Sequence, residues 1–242
     1  MWDRLLQIFD YWVYFFQSTD LHGIHSPFIY QIAEFSFFNK EEKRIQFIEI
    51  QRTEMLKSSG RIENYPISKF ANHYTLDAKY AFAIHRITHF LDIHRYHEYG
   101  LCTGIETNYM LHRQLAILKK QISYTYHFKE NPVKKHTNEA WYTSEVHRDL
   151  HEWNSPPSAW EMHLIHQHEQ ADEIWDYVED ILNNRHNHTL LIITNIHETD
   201  DHTLNWKRLQ NDDRTGVSID LFKMGIIFFR KEQPKEHFTL RY

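Results

Sequence analysis

Apolar residues recur at helical spacing through the first segment, at Trp2, Leu5, Leu6, Phe9, Trp12, Val13 and Phe16, which predicts an amphipathic helix. The stretch LHGIHSPF breaks that pattern. Ser26 followed by Pro27 then supplies an N-cap and first-turn pair for a second helix, PFIYQIAEFSFF. A polar region from about residue 39 to residue 65 carries helical periodicity in RIQFIEIQRTEMLKSSG, with Gly60 as its stop. The segment SKFANHYTLDAKYAFAIHRITHFLD predicts one more helix or a pair of them, ending near Asp92.

Beyond residue 93 the pattern changes. IHRYHEYG predicts a short strand running into glycine, IETNYMLHRQLAILKK a helix, QISYTYHF a strand and WYTSEVH a further strand candidate. AWEMHLIH predicts a strand, EQADEIWDYVEDILNN a helix, TLLIITNI a buried strand and DDHTLNWKRLQN a helix. GVSIDLF and MGIIFFRKEQ predict two strands joined tightly around Lys223 and Met224, so the last runs antiparallel to its neighbour. The closing RKEQPKEHF predicts a solvated strand end, with Pro234 stopping the sheet. Strands alternating with helices imply an α/β fold with a mainly parallel sheet. IHRYHEYG and EMHLIH depart from the near-continuous apolar runs of central parallel strands, because histidine and charge interrupt both.

Length and charge narrow the picture. The 242 residues suit one large domain, or one domain with a helical extension. With 27 basic against 33 acidic residues and no basic cluster, no nucleic-acid partner is expected. The single cysteine, Cys102, excludes an internal disulfide and is expected to be a small packing residue in a reducing compartment. The longest apolar run of the first segment, Tyr11 to Phe16, is far below the roughly 18 residues of a spanning helix. No membrane partner is therefore expected, and a cytoplasmic location is. The aromatic stripe of the first helix is expected to pack over the sheet or to form a homodimer contact.

Glycine is scarce, six in the chain, yet Gly100 and Gly104 stand four apart just behind Glu98. A strand running into E-x-G-x-x-x-G and then a helix suits a loop whose backbone approaches a nucleotide-type cofactor, and it equally suits a simple turn. On three motifs the chain resembles the class I S-adenosylmethionine-dependent methyltransferases, in particular a bacterial subgroup with an HG-x-HSPF motif. These are HGIHSPF at 22–28, EYGLCTGI at 98–105 and SIDLFKMGIIFFRKEQPKEHFTLRY at 218–242. The resemblance implies a Rossmann-like, seven-stranded sheet with its last strand antiparallel. It also implies an N-terminal helical extension over residues 1–68 and a methyltransferase domain over residues 69–242.

By the same resemblance, Glu98, Gly100, Thr103 and Gly104, with Ile105 beside them, cradle the methionine part of S-adenosylmethionine. The ribose-gripping acid belongs at the end of the second strand, where His127, Phe128 and Lys129 stand and Glu130 is the nearest acid. Where related enzymes read IDG-x-H after the fourth strand, this chain reads Ile165, His166, Gln167, His168, Glu169. The acidic pair of the fifth strand is replaced by Thr194 and Asn195.

His163, His166 and His168 fall within six residues, but no metal-ligand spacing such as HExxH is present, and no metal cofactor is expected. An imidazole suits proton abstraction from a hydroxyl acceptor, which makes His166 and His197 the candidate catalytic bases. The reading is a methyltransferase moving a methyl group to a small-molecule acceptor, most simply to oxygen. The alternative is a catalytically degenerate member of the fold that binds a ligand or a partner. A third reading, a transition-metal-binding protein on the same scaffold, rests on the twenty histidines.

Overall fold

A computed structural model describes residues 2–38, 46–62, 65–100, 106, 123–127, 159–167 and 171–242. The chain opens with helices α1 (Trp2–Gln17), α2 (Pro27–Ser36) and α3 (Gln46–Leu56). A two-stranded hairpin, β1 (Arg61–Ile62) with β2 (Tyr65–Pro66), leads into α4 (Ile67–Tyr74) and α5 (Ala78–Phe90). The hairpin lies just past Gly60, where the sequence predicts only a helix stop. The main sheet follows as β3 (Ile93–Tyr99), β4 (Ser123–His127), β5 (Trp160–Ile165), β6 (Thr189–Thr194), β7 (Val217–Asp220), β8 (Met224–Phe228) and β9 (Glu236–Thr239). Helix α6 (Ala171–Asn184) connects β5 to β6, and α7 (Asp200–Asn211) connects β6 to β7. The expected helix over IETNYMLHRQLAILKK, apart from Glu106, and the strand candidate WYTSEVH lie outside the described residues.

The fold is α/β with a mixed sheet, in the order β4-β3-β5-β6-β8-β7-β9. The pairs β3–β4, β3–β5, β5–β6 and β7–β9 are parallel, and β8 is antiparallel to both β6 and β7. The antiparallel run of the last predicted strand is therefore observed. The end of the chain is different from expectation. Pro234 does not stop the sheet, because β9 begins two residues later and pairs with β7 at the edge, a position where a preceding proline costs no ladder bond.

Both faces are covered. On one, Ile29, Ile32 and Ala33 of α2 and Ala83, Ile84 and Ile87 of α5 join Met162, Leu164, Leu190, Ile192 and Ile226 of the strands. On the other, Ile174, Val178 and Ile181 of α6 and Trp206 of α7 pack on Ile165, Leu191, Ile193 and Ile227. Ser26 caps α2 as expected, its hydroxyl accepting the Ile29 N–H at 3.4 Å. Strand β6 is buried at every position, as its apolar run predicts. Among the described residues, no helix is long and apolar enough to cross a membrane.

Helix α1 docks on a different face from the one its spacing suggests. Trp12, Val13 and Phe16 are exposed, Phe16 at 77%, while Tyr14 is buried. Tyr14 and Tyr11 both pack on Phe222 at 5.1 Å, and the Tyr14 hydroxyl donates to the Leu240 carbonyl. The helix carries aromatics nearly all round, so the choice of face falls to Tyr14, whose hydroxyl has a buried hydrogen-bond partner. Just beyond it, Thr19 N–H donates to the Thr239 carbonyl at 2.8 Å, and the Thr19 carbonyl accepts from Arg241 N–H at 2.9 Å. The two chain ends are thus joined along the edge of the sheet.

The polar positions that interrupt β3 and β5 stand opposite one another. Arg95 pairs in register with Glu161, and His97 with His163. An Arg95 guanidinium nitrogen lies 3.2 Å from one Glu161 carboxylate oxygen, and His186 and Thr189 contact the other at 3.0 and 2.9 Å. Burial pushes the Glu161 carboxyl up, but contacts with His163, His186 and Thr189 outweigh it and bring the pKa down to about 2. The interruptions are therefore matched across the strand pair.

Two tests follow from this packing. A Cβ at Gly225 would stand 2.6 Å from the Trp206 ring, so Gly225→Ala overpacks the sheet–α7 contact. Thermal unfolding should show a loss of about 1–3 kcal/mol, the usual cost of an overfilled core. The second concerns acid. With a folded pKa near 2 against an ordinary value of 4.5, Glu161 contributes stability that is full above 4.5 and lost as pH falls towards 2. Denaturant titrations from pH 5 to 2 should show a shallower decline for Glu161→Gln than for the native chain.

Candidate functional site

Three parallel strands, β3, β5 and β6, end side by side, and their order reverses there: from β3 the chain moves outward to β4 and later returns to β5 on the other side. Such a reversal opens a crevice at the carboxyl ends of the strands, where ligands of open α/β sheets bind. A cleft of about 260 Å³ lies there, lined by His166 at the end of β5 and by Thr194 and Asn195 at the end of β6. Its opposite wall is the turn between α4 and α5, from Asn72 to Asp77, with Phe222 and Lys223 at the rim. An exposed ion pair between Lys223 and Asp77, at 2.8 Å, bridges that rim.

Gly100 occupies the junction of β3 and β5. Its φ is +88°, a region that side chains disfavour, and a Cβ there would stand 2.5 Å from the His166 carbonyl oxygen. His166 N–H meanwhile donates to the Tyr99 carbonyl at 2.9 Å. The glycine is thus required by the close approach of the protein's own backbone. Glu98, expected to touch the cofactor, is fully buried, and its carboxylate lies 2.8 Å from His166 Nε2. Glu98 thus stands behind the imidazole that lines the cleft. Thr103, Gly104 and Glu130, the other expected cofactor residues, lie outside the described residues, as do Cys102, Ile105, His168 and Glu169.

Glu106 is the residue that sequence reasoning missed. Its buried carboxylate accepts the Leu76 N–H at 2.8 Å, which ties the α4–α5 wall to the region behind the glycines. Burial pushes its pKa up, the His166 charge and backbone hydrogen bonds pull it back, and the Glu98 charge raises it again. Two buried acids thus face one buried imidazole. The signal available in sequence was a second acid placed just past the glycine loop, in GIET.

His197 lines the same cleft but is already engaged. Its Nε2 lies 2.7 Å from an Asp220 carboxylate oxygen, and its Nδ1 lies 3.1 Å from the Thr203 hydroxyl. That same Asp220 oxygen accepts the Trp206 indole N–H at 3.0 Å, and the other accepts the Phe222 N–H at 2.8 Å. Both nitrogens of His197 are thus engaged within the chain. His163 does not join His166. It sits on the other face of β5, with Nδ1 at 3.0 Å from the Tyr99 hydroxyl.

Gln167, next to His166, ties the strand ends together. Its N–H donates to the Thr194 hydroxyl at 3.2 Å, and its carbonyl accepts from the Asn195 amide at 3.1 Å. Its own side-chain nitrogen is buried and has no hydrogen-bond partner among the described residues. A buried donor left unpaired costs free energy. The chain matches no protein-family model, and no curated protein matches it as a relative.

Removing the imidazole donor from the buried Glu98 carboxylate leaves a buried polar group less well satisfied. His166→Leu should therefore cost about 1–3 kcal/mol of unfolding free energy. The double variant His166→Leu with Glu98→Leu should recover part of that loss, and a double-mutant cycle from denaturant unfolding measures how much.

Proposed function

We propose that the chain is an S-adenosylmethionine-dependent methyltransferase of Rossmann-like fold that methylates a small molecule, most simply at oxygen. The observation that carries this reading is the position of the cleft, outside the carboxyl ends of β5 and β6 and next to the reversal of strand order between β3 and β5. The resemblance at residues 22–28, 98–105 and 218–242 names the cofactor.

The residues present fit such a group. His166 at the end of β5 and Thr194 and Asn195 at the end of β6 supply neutral hydrogen-bonding groups along the cleft. Glu198 stands on the cleft wall. When bound, the cofactor supplies the electrophilic methyl group. The chain's own contribution is proton handling and alignment. A carboxylate only accepts hydrogen bonds, so with Glu98 ionised His166 Nε2 carries the proton and Nδ1 is the basic nitrogen. That nitrogen takes the proton of an acceptor hydroxyl, and Glu98 stabilises the imidazolium that results.

A second reading is favoured by Gly100 itself. The chain's own packing requires that glycine with or without a ligand, and Thr194 and Asn195 stand where acids are expected. On this reading the fold binds its ligand without turnover. Thermal unfolding with S-adenosylmethionine and S-adenosylhomocysteine tests both. Saturation at 100 times the dissociation constant should add about 2.7 kcal/mol of stability. Methyl transfer to a hydroxyl acceptor supports the first reading, and binding without transfer supports the second. No stabilisation by either compound at millimolar concentration overturns the assignment of the cofactor.

A further inference from the structure

The polar cluster between β3 and β5 lies apart from the cleft and has no part in the chemistry proposed there. We infer that His97, His163 and Glu161 form a binding site for a divalent transition-metal ion, with zinc as the natural occupant. One ligand atom from each of the three lies within 4.8 Å of the other two. His163 Nε2 is 3.5 Å from a Glu161 carboxylate oxygen, close to the roughly 3.3 Å that separates ligands around tetrahedral zinc. Imidazoles with one carboxylate suit zinc, nickel or copper, whereas magnesium and calcium prefer oxygen throughout.

Independent features of the surroundings point the same way. A metal-ligating histidine has its second ring nitrogen fixed by a hydrogen bond, and His163 Nδ1 meets the Tyr99 hydroxyl at 3.0 Å, which leaves Nε2 towards Glu161. The Glu161 carboxylate is likewise held, by the Thr189 hydroxyl at 2.9 Å and by Arg95 on its other oxygen at 3.2 Å. His186, whose Nδ1 accepts the His188 N–H at 3.1 Å, holds the same Glu161 oxygen as Thr189 from Nε2 at 3.0 Å and so orients the carboxylate. Strand register fixes the arrangement, since His97 and His163 are direct cross-strand partners.

One movement is required. The His97 and His163 rings are stacked at 4.7 Å with an interplanar angle of 11°, and a metal must lie in the plane of each ring it binds. His97 is half-buried, and binding requires its ring to turn towards Glu161. Arg95 places a positive charge near the ion and lowers its affinity relative to an all-neutral surrounding. The ion would bridge β3 and β5 and stabilise the folded chain by mass action.

Calorimetric titration of the full chain with Zn²⁺ alone, and visible absorption with Co²⁺ alone, test the inference. One ion per chain is expected, with the visible bands of tetrahedral cobalt. His97→Ala should abolish this site, and Tyr99→Phe, which keeps every ligand, should weaken it about 10- to 100-fold. The control His22→Ala with His25→Ala removes two exposed histidines elsewhere and should titrate as the native chain does. The inference is overturned by a native chain without a stoichiometric site, by wild-type affinity in His97→Ala or Tyr99→Phe, or by an equal loss in the control. Circular dichroism of His97→Ala and Tyr99→Phe, both conservative in volume or partly exposed, separates lost ligation from lost folding.

Discussion

The carboxyl end of β5 runs so close to that of β3 that the His166 carbonyl fills the space a side chain at residue 100 would need. Much of the site depends on this approach. It demands a glycine with positive φ, and it aligns the strands so that His166 N–H meets the Tyr99 carbonyl. It also brings the His166 imidazole, 68 residues along the chain, onto Glu98. The cleft opens at the same junction because the strand order reverses there. The glycine and the cleft are therefore two results of one geometry.

A second knot lies at Asp220, at the end of β7. Its carboxylate gathers His197, the Trp206 indole and the N–H of Phe222, whose φ is +70°. Phe222 in turn receives Tyr11 and Tyr14 of α1 and stacks on His197 at 5.5 Å. Leu240 N–H donates to the Asp220 carbonyl while its own carbonyl accepts from Tyr14. One buried acid thus connects the cleft wall, the first helix and the last residues of the chain. The buried carboxylate is tolerated because it has several donors around it.

Local signals were readable and distant pairings were not. The Ser26–Pro27 start of α2, the apolar run of β6 and the antiparallel turn into β8 are all written within a few residues, and each appears where the pattern puts it. Strand β9 was hidden because Pro234 looks like a terminator, although an edge strand accepts a proline just before it. The docking face of α1 was hidden for another reason. Aromatics on every side leave periodicity unable to choose, and the buried hydroxyl of Tyr14 chooses instead. At the site, residue types drew notice to Glu98, Gly100, His166 and His197, but their roles depend on partners 23 and 68 residues away. Glu106 went unnoticed because its importance comes from Leu76, which is far from it in sequence and only adjacent once α4 and α5 have folded.

The histidines in β3 and β5 show how a weakness in the pattern becomes a constraint. Either strand alone reads as poorly suited to the middle of a parallel sheet. Together they match Arg95 with Glu161 and His97 with His163, while Tyr96, Met162 and Leu164 keep the opposite face apolar. A slip of one residue would turn this polar set into the α2–α5 core and strand Glu161 without its partners. It would also move His166 away from Glu98 and Gly100. Polar pairing on one face therefore fixes the same register that builds the cleft at the strand ends, and the site inherits its precision from residues that never touch it.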